Sequence, residues 1–364
     1  RPLTSLIIQV HPSPQANMKT FLSVILAAGA ACAVAFDPSA PALHDDLINM
    51  VNNGESNWKA GRNARFEGAT LGDVAKTLGT KIFGKDVVRA REALAAWPNA
   101  RLESLPKSFD TSKAWPQCAS MINHVRDQAN CGSCWAFGST EAFNDRMCIE
   151  HNVTTEFSAQ DTASCCNLFG GCFGSSGCDG GIPSEAWSYF TSTGVVSGGD
   201  YDTIGSGSSC FPYQLANCDH HEPGPFKTCE GDAATPACPN PKACSESKYG
   251  TAWASDKHFA KSSYAVPTDV QGIKSEIAQY GSVTAAFTVY SDFLTYTSGV
   301  YSHKTGSAVG GHAVKIQGWG VENGQEYWLV LNSWNSHWGE NGFFKILSGV
   351  DECGIESQIV AGHV

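Results

Sequence analysis

The chain has 364 residues, long enough for a precursor segment followed by a catalytic unit of one or two domains. With 42% hydrophobic and 16% charged residues it has the balance of a globular protein. A net charge of −11 argues against nucleic acid as the main partner, and fifteen cysteines argue against a reducing cytosol.

Residues 1–17 precede a plausible start at Met18 and stay an unassigned leader. Met18-Lys19 gives a short basic start, Phe21 to Ala31 is apolar, and Ala33-Val34-Ala35 is a small-x-small site. This pattern predicts a secretory signal over 18–35. The apolar run is too short and too alanine-rich to favour a membrane anchor, and no other stretch is long and apolar enough to span a bilayer. The expected route is the secretory pathway, ending in a lysosome or vacuole or outside the cell.

Residues 36–104 hold no cysteine and 105–364 hold fourteen, which marks a boundary near Ser104. In the first part, Asp45 to Val51 is predicted as a short amphipathic helix, and Trp58 to Asn63 and Leu78-Gly79-Thr80 are its distinctive stretches. Its few strong apolar periods would give a thin core to an independent domain.

Gln128 to Gly138 centres on Cys134, placed after Gly132-Ser133 and before a helix-like run from Trp135 to about Glu150. A thiol in a helix's first turn sits among unpaired N–H groups. These favour a thiolate, so a lowered pKa is predicted, and they can hold an oxyanion. Taken alone, Cys131-Gly132-Ser133-Cys134 also fits a disulfide, a redox pair or half a zinc site. Downstream, Gly310-Gly311-His312-Ala313-Val314 offers a histidine between glycines and apolar residues, and Asn332-Ser333-Trp334 an amide beside an indole. Alone, His312 would be a satisfied core histidine. From Val283 the texture is β-rich: 283–290, 312–318, 327–332 and 342–347 are predicted strands of a small antiparallel barrel.

Cysteine, histidine and asparagine in that order, with the C-G-S-C-W stretch, resemble the papain-like cysteine proteases, and within them most nearly the cathepsin B group. The resemblance covers roughly everything after residue 104. It implies an α+β fold of two lobes with a cleft between them: a helical lobe over about 105–250 and a β-barrel lobe over about 251–364. Leu105-Pro106-Lys107-Ser108-Phe109-Asp110 is similar to the family's mature start, and 36–104 to its inhibitory propeptide, without the cysteine usual before Gly79.

The resemblance assigns Cys134 as nucleophile, His312 as its base and acid, Asn332 as the group orienting the imidazole, and Gln128 as oxyanion donor. Trp334 would shield the His312–Asn332 bond. Gly180 and Gly181 would pair with substrate backbone, Trp338 would stand on the primed side, and Glu356 would floor the P2 pocket and accept arginine. It also implies six disulfides, Cys118–Cys148, Cys131–Cys178, Cys165–Cys238, Cys166–Cys172, Cys210–Cys244 and Cys218–Cys229, with Cys353 left free. No cofactor or metal is called for. The expected partners are peptide and protein substrates, the chain's own propeptide and cystatin-like inhibitors, and a monomer is expected.

His312 and Asn332 lie 178 and 198 residues after Cys134, against about 130–150 in papain-like enzymes. The excess falls in 201–249, within which Cys218 to Cys229 resembles the occluding loop, about 210–229, of cathepsin B. There His220 and His221 would hold a substrate's C-terminal carboxylate, so that dipeptides are released. Asp127 and His220 keep one pair that fastens this loop. The second, arginine to aspartate, is replaced by Phe226 and His337, and a looser loop with more endopeptidase activity is expected. Asn152-Val153-Thr154 is a glycosylation sequon. The competing readings are a non-catalytic peptide- or inhibitor-binding relative, and a thiol–disulfide oxidoreductase using Cys131 and Cys134.

Overall fold

A computed structural model describes residues 35–82, 95–219, 226–229, 231 and 233–364. The expected signal sequence up to residue 34, and His220 and His221, lie outside the described residues. No helix among the described residues is long and apolar enough to cross a membrane.

The pro-region contributes α1 (Asp45–Asn53), β1 (Trp58–Ala60) and α2 (Leu71–Thr77). Thr70 starts α2 through a reciprocal capping box with Asp73, which satisfies two otherwise orphaned N–H groups. β2 (Phe109–Asp110) then joins the main sheet.

Helix α3 (Cys134–His151) is the axis of the helical lobe and is buried on every side from Cys134 to Cys148. It therefore shows no single apolar face, as expected for a helix enclosed by its own protein. It ends where Asn152 turns left-handed at φ 55. Around it lie α4 (Ala159–Cys165), capped by Ser158, and α5 (Pro183–Ser192), which has proline in its first turn. Phe143, Phe157, Trp187 and Phe190 fill the space between. The six expected disulfides are all formed, and Cys134 and Cys353 are the free thiols.

The second lobe is built on one sheet. Short strands β3 (Cys218–Asp219) and β4 (Lys227–Thr228) pair apart from it. The sheet carries β5 (Tyr264–Ala265), then, after helix α6 (Val270–Tyr280), β6 (Val283–Tyr290), β7 (Tyr296–Tyr301), β8 (Ala308–Glu322), β9 (Gln325–Leu331), β10 (Phe343–Leu347) and β11 (Ile359–Ala361). Its order is β1-β7-β10-β9-β8-β6-β11-β5, with β2 on β8. This corrects the expected closed antiparallel barrel. β1 from the pro-region takes one edge and β5 the other, so the sheet stays open among the described residues, and β10 runs parallel to β7. β8 is longer than its apolar run suggested and shifts register between Ile316 and Gly318.

The lobes meet through buried polar contacts as well as apolar ones. Lys315 on β8 reaches Asp145 on α3 at 2.9 Å and the Ile122 carbonyl at 2.8 Å. Gln317 donates to Asn123 at 3.0 Å. Arg146 donates to Glu276 on α6 at 2.9 Å and to the carbonyls of Ser282 and Gly362. Arg146 and Glu276 are both fully buried, so removing one partner leaves the other charge uncompensated. Arg146→Met should therefore lower the unfolding free energy by about 3–5 kcal/mol in urea titrations at pH 7. A loss under about 1 kcal/mol would show that Glu276 finds another partner.

Candidate active site

Three segments carry Cys134, His312 and Asn332. Helix α3 places Cys134 in the first turn, with its side chain fully buried. Strand β8 brings His312, and Ala313 next to it donates a backbone N–H to the sulfur. The stretch after β9 brings Asn332, whose Oδ1 lies 2.7 Å from His312 Nε2. An amide oxygen only accepts, so the imidazole proton resides on Nε2 and Nδ1 is left as the base. That Nδ1 is buried with no hydrogen-bond partner. Trp334 stacks on the imidazole at 4.5 Å between ring centres, and its own N–H is buried and unpaired.

Gln128 is held from several directions. Its backbone N–H donates to the Ser333 carbonyl at 2.9 Å, and Ser333 Oγ donates to its Oε1 at 2.7 Å. These bonds turn Nε2 outward, where it donates to the carbonyls of Thr77 and Cys131, each at 2.7 Å. Thr77 belongs to the pro-region, so a precursor carbonyl sits on the expected oxyanion donor.

The pro-region fills the rest of the cleft. Gly181 N–H donates to the Gly79 carbonyl at 2.8 Å, and Lys81 N–H to the Gly181 carbonyl at 3.1 Å. On the other wall Thr80 N–H donates to the Gly311 carbonyl at 3.0 Å. Thr80 Oγ1 lies 3.1 Å from the Cys134 sulfur. The fit demands glycine: a Cβ on Gly79 would stand 1.7 Å from the Gly132 carbonyl oxygen, and one on Gly181 2.4 Å from the Trp135 ring. Gly180 has φ +102, which a side chain would strain.

This cover reverses one expectation. Burial pushes the Cys134 thiol up, outweighing the donors from Thr80, Ala313, Gly79 and Trp135 that pull it down. Burial likewise drives His312 down to about 4, against the pull of Asn332. Covered, the pair is neutral rather than thiolate and imidazolium.

Asp127 is buried and accepts from Ala129 N–H at 2.8 Å and from Asn335 at 3.0 Å. Pro-region Arg65 lies 3.6 Å from it, donates to the Ala129 carbonyl at 2.9 Å and also bonds the Cys218 carbonyl. The expected partner His220 lies outside the described residues. The second fastening of the loop is not empty, as the sequence suggested. The Phe226 and His337 rings touch at 4.8 Å, and His337 Nδ1 lies 3.2 Å from Asp219. Trp338 is fully buried among Phe293, Tyr296, Trp334 and Phe344, beneath pro-region Asn63, which accepts from Gly339 N–H at 3.0 Å. Glu356 is buried, and its oxygens are engaged by Trp328 Nε1 at 2.8 Å, Gly349 N–H at 2.6 Å and Asp351 N–H at 2.8 Å. It thus pins the 349–351 turn, a duty its position in the sequence did not announce.

Sequence reasoning missed Arg65, Thr80 and Ser333. Ser333 had a signal, adjacency to Asn332. Thr80 had one too, its place in Leu78-Gly79-Thr80, though not its contact with the sulfur; Arg65 had none, because its role depends on where the pro-region lies. No cluster of three His, Cys, Asp or Glu side chains suited to a metal occurs among the described residues.

A family profile described as papain family cysteine protease matches residues 105–363, and one for the peptidase family C1 propeptide matches 43–82. A cathepsin B-like cysteine proteinase of Schistosoma japonicum is 42% identical over 88% of this chain and 91% of its own length. Cathepsin B-like cysteine proteinase 5 of Caenorhabditis elegans is 43% identical over 94% and 97%. Among solved structures, procathepsin B S9 from Trypanosoma congolense superposes with a TM-score of 0.70 at 31% identity, covering 89% of this chain and 99% of that one.

Two outcomes follow from the covered cleft. Gly79→Ala forces the pro-region off Gly132, so alkylation of Cys134 in the precursor, followed by peptide mapping, should run at least about tenfold faster, equivalent to ~1.4 kcal/mol. An unchanged rate would mean that another contact keeps the thiol covered. The second concerns pH. In a Cys134→Ala chain, where no thiol shares the proton, an imidazole near 4 when covered and nearer 6.5 when uncovered binds more protons uncovered, so the covered state is favoured above about 6.5 and loses ground as pH falls toward 4. Hydrogen exchange at the Gly181 amide, corrected for intrinsic rate, should accelerate across that window, and a flat profile would remove His312 from the response.

Proposed function

This chain belongs to the papain family of cysteine proteases, in its cathepsin B-like group, and is made with a C1 propeptide; from that premise we propose that it hydrolyses peptide bonds through Cys134, His312, Asn332 and Gln128, acting as both endopeptidase and dipeptidyl carboxypeptidase. The observation that carries the reading is the pairing of His312 Nε2 with Asn332, which leaves Nδ1 without a partner on the residue before Ala313, whose backbone N–H donates to the Cys134 sulfur.

In this mechanism departure of the pro-region readmits water, and the proton passes from Cys134 to His312 Nδ1. The thiolate attacks the scissile carbonyl carbon. Gln128 Nε2, released from Thr77, and the Cys134 backbone N–H stabilise the oxygen's developing charge. His312 then gives its proton to the leaving amine, and water completes hydrolysis of the thioester. Gly180 and Gly181 align the substrate by strand addition, as Gly181 now does for residues 79–81.

The carboxypeptidase part rests on the insertion at 201–249 and the stapled loop Cys218–Cys229, with His220 and His221 as carboxylate donors. The contact of Phe226 with His337 would tether that loop by apolar area, a weaker hold than an ion-paired arginine, which favours endopeptidase activity. Glu356, fixed by its three donors, would present a carboxylate to arginine at P2. Trp338 would form primed-side wall once Asn63 has left. Lysosomal, vacuolar or extracellular action fits the disulfide content.

The test is cleavage of Arg-Arg and Phe-Arg fluorogenic amides by the activated protein. Cys134→Ala should lose at least about 10³-fold in kcat/KM on both. Glu356→Ala should weaken Arg-Arg selectively; an unchanged ratio would leave Glu356 only its duty in the 349–351 turn. A folded, fully processed wild type that cleaves neither amide would make the protein a peptide binder. Failure to cut a C-terminally blocked protein at any pH would remove the endopeptidase activity.

A further inference from the structure

The pro-region touches the catalytic part at a second place, on α6 and the sheet edge. Ala95 bridges in parallel to Tyr264 on edge strand β5. Trp97 Nε1 and Asn99 Nδ2 each donate to Glu276 Oε2 at 2.7 Å. Asn99 Oδ1 lies 2.9 Å from His363 Nε2. Helix α6 then grips the backbone: Gln279 donates to the Ala100 carbonyl at 3.0 Å, Ser275 Oγ accepts from Leu102 N–H at 3.0 Å, and Gln271 donates to the Leu102 carbonyl at 3.1 Å. Arg101 forks onto Asp269, which caps α6.

Two features mark this as a built site rather than a passing contact. The first is periodicity. Trp97, Asn99 and Arg101 are alternate residues of an extended segment and all bond the catalytic part, while Pro98 and Ala100 point to solvent. Gln271, Ser275 and Gln279 are four apart, one stripe of the helix. The second is Glu276. Its carboxylate is buried, and Oε1 is satisfied by Arg146 at 2.9 Å and Tyr264 OH at 2.7 Å. Oε2 is bonded by Trp97 and Asn99, both from the pro-region. The catalytic part thus supplies half of a buried carboxylate's donors and leaves the rest to the incoming segment, through charge-assisted bonds.

We propose that α6, edge strand β5 and His363 form a docking site for the segment 95–102, separate from the cleft, which keeps the pro-region bound after the chain is cut near Ser104. This rests on reading 36–104 as the inhibitory pro-region. A cut beyond residue 102 severs neither the segment in the cleft nor the segment on α6. The two remain joined through 83–94, so each holds the other at high effective concentration. The cut pro-region therefore leaves only when both let go. The recognised chemistry is an extended strand with an indole N–H, a carboxamide and a guanidinium on alternate residues.

The test uses the full chain carrying Cys134→Ala, so that retention does not depend on catalysis, with a site for an added sequence-specific protease inserted after Ser104. After cutting, native mass spectrometry and size exclusion follow the fragment ending at Ser104. The parent should retain it, and Trp97→Ala with Arg101→Ala should release it at least about tenfold faster. Equal release rates, or loss of the fragment from the parent as fast as it is cut, would overturn the proposal. If the double variant shows no cooperative thermal transition before cutting, Asp269→Asn decides instead. It keeps an oxygen for the Gly272 N–H but loses the charge facing Arg101, and release at the parental rate would again overturn the site. Inactivity toward dipeptide amides would refute the peptidase reading and leave retention unaffected.

Discussion

The structure depends on the close approach of two backbones, Gly79 of the pro-region and Gly132, two residues before Cys134. Where a methyl group would stand 1.7 Å from a carbonyl oxygen, the pro-region lies flat in the cleft. From that contact follow the pairing of residues 79–81 with Gly181 and Gly311, the seating of Thr77 on Gln128, and the burial of Cys134. Burial then sets the chemistry. A thiol at a helix start should ionise readily, yet here the thiol is raised and the imidazole lowered because both have lost water. Latency is thus electrostatic as well as steric: the cover blocks access and also removes the solvent that an ion pair needs.

Much of this was legible in the sequence because the proposed catalytic residues carry local signals. Cys134 sits in a turn before a helical run, His312 after two glycines, Asn332 two residues before an indole, and their order is distinctive. The helical lobe, the cysteine pairing and strand β6 with its exact limits followed from the same resemblance and texture. What was not legible depends on contacts between segments far apart in sequence. Nothing in the neighbourhood of Arg65 says that it will be buried between Asp127 and the Cys218 carbonyl. The sheet was expected to close, but its edges are decided by β1, which comes from the pro-region. Phe226 and His337 read as a lost ion pair, yet the rings meet, a substitution that pairwise charge reasoning does not register.

The polar seam between the lobes has a related logic. Lys315 and Asp145 tie β8 to α3 directly behind the site, and Glu141, buried near Lys315 and Arg126, is raised to about 8, with burial the largest cause. Such a seam is a poor source of net stability, since desolvation opposes the attraction. It is a good source of geometry, because buried charges tolerate little displacement before a partner is lost. His312 lies on β8 and Cys134 on α3, so the elements joined by the seam are the ones whose spacing the proposed catalytic pair requires.

The same geometry explains why a peptide lying across a protease's nucleophile need not be cut. Attack requires one carbonyl to meet two conditions: its carbon within reach of the sulfur and its oxygen on the oxyanion donors. In the covered cleft these conditions fall on different residues. The oxygen on Gln128 Nε2 belongs to Thr77. The groups at the sulfur are the hydroxyl of Thr80 and the N–H groups of Gly79, Ala313 and Trp135, all of them donors or potential donors. The Gly79 carbonyl is taken by Gly181 N–H. The pro-region thus satisfies each element of the catalytic site separately while offering no bond on which they can act together. Its residues 77–81 span the proposed site, and their register along the walls, fixed by the glycines at 79, 132 and 181, keeps the proposed nucleophile and oxyanion donor apart in function.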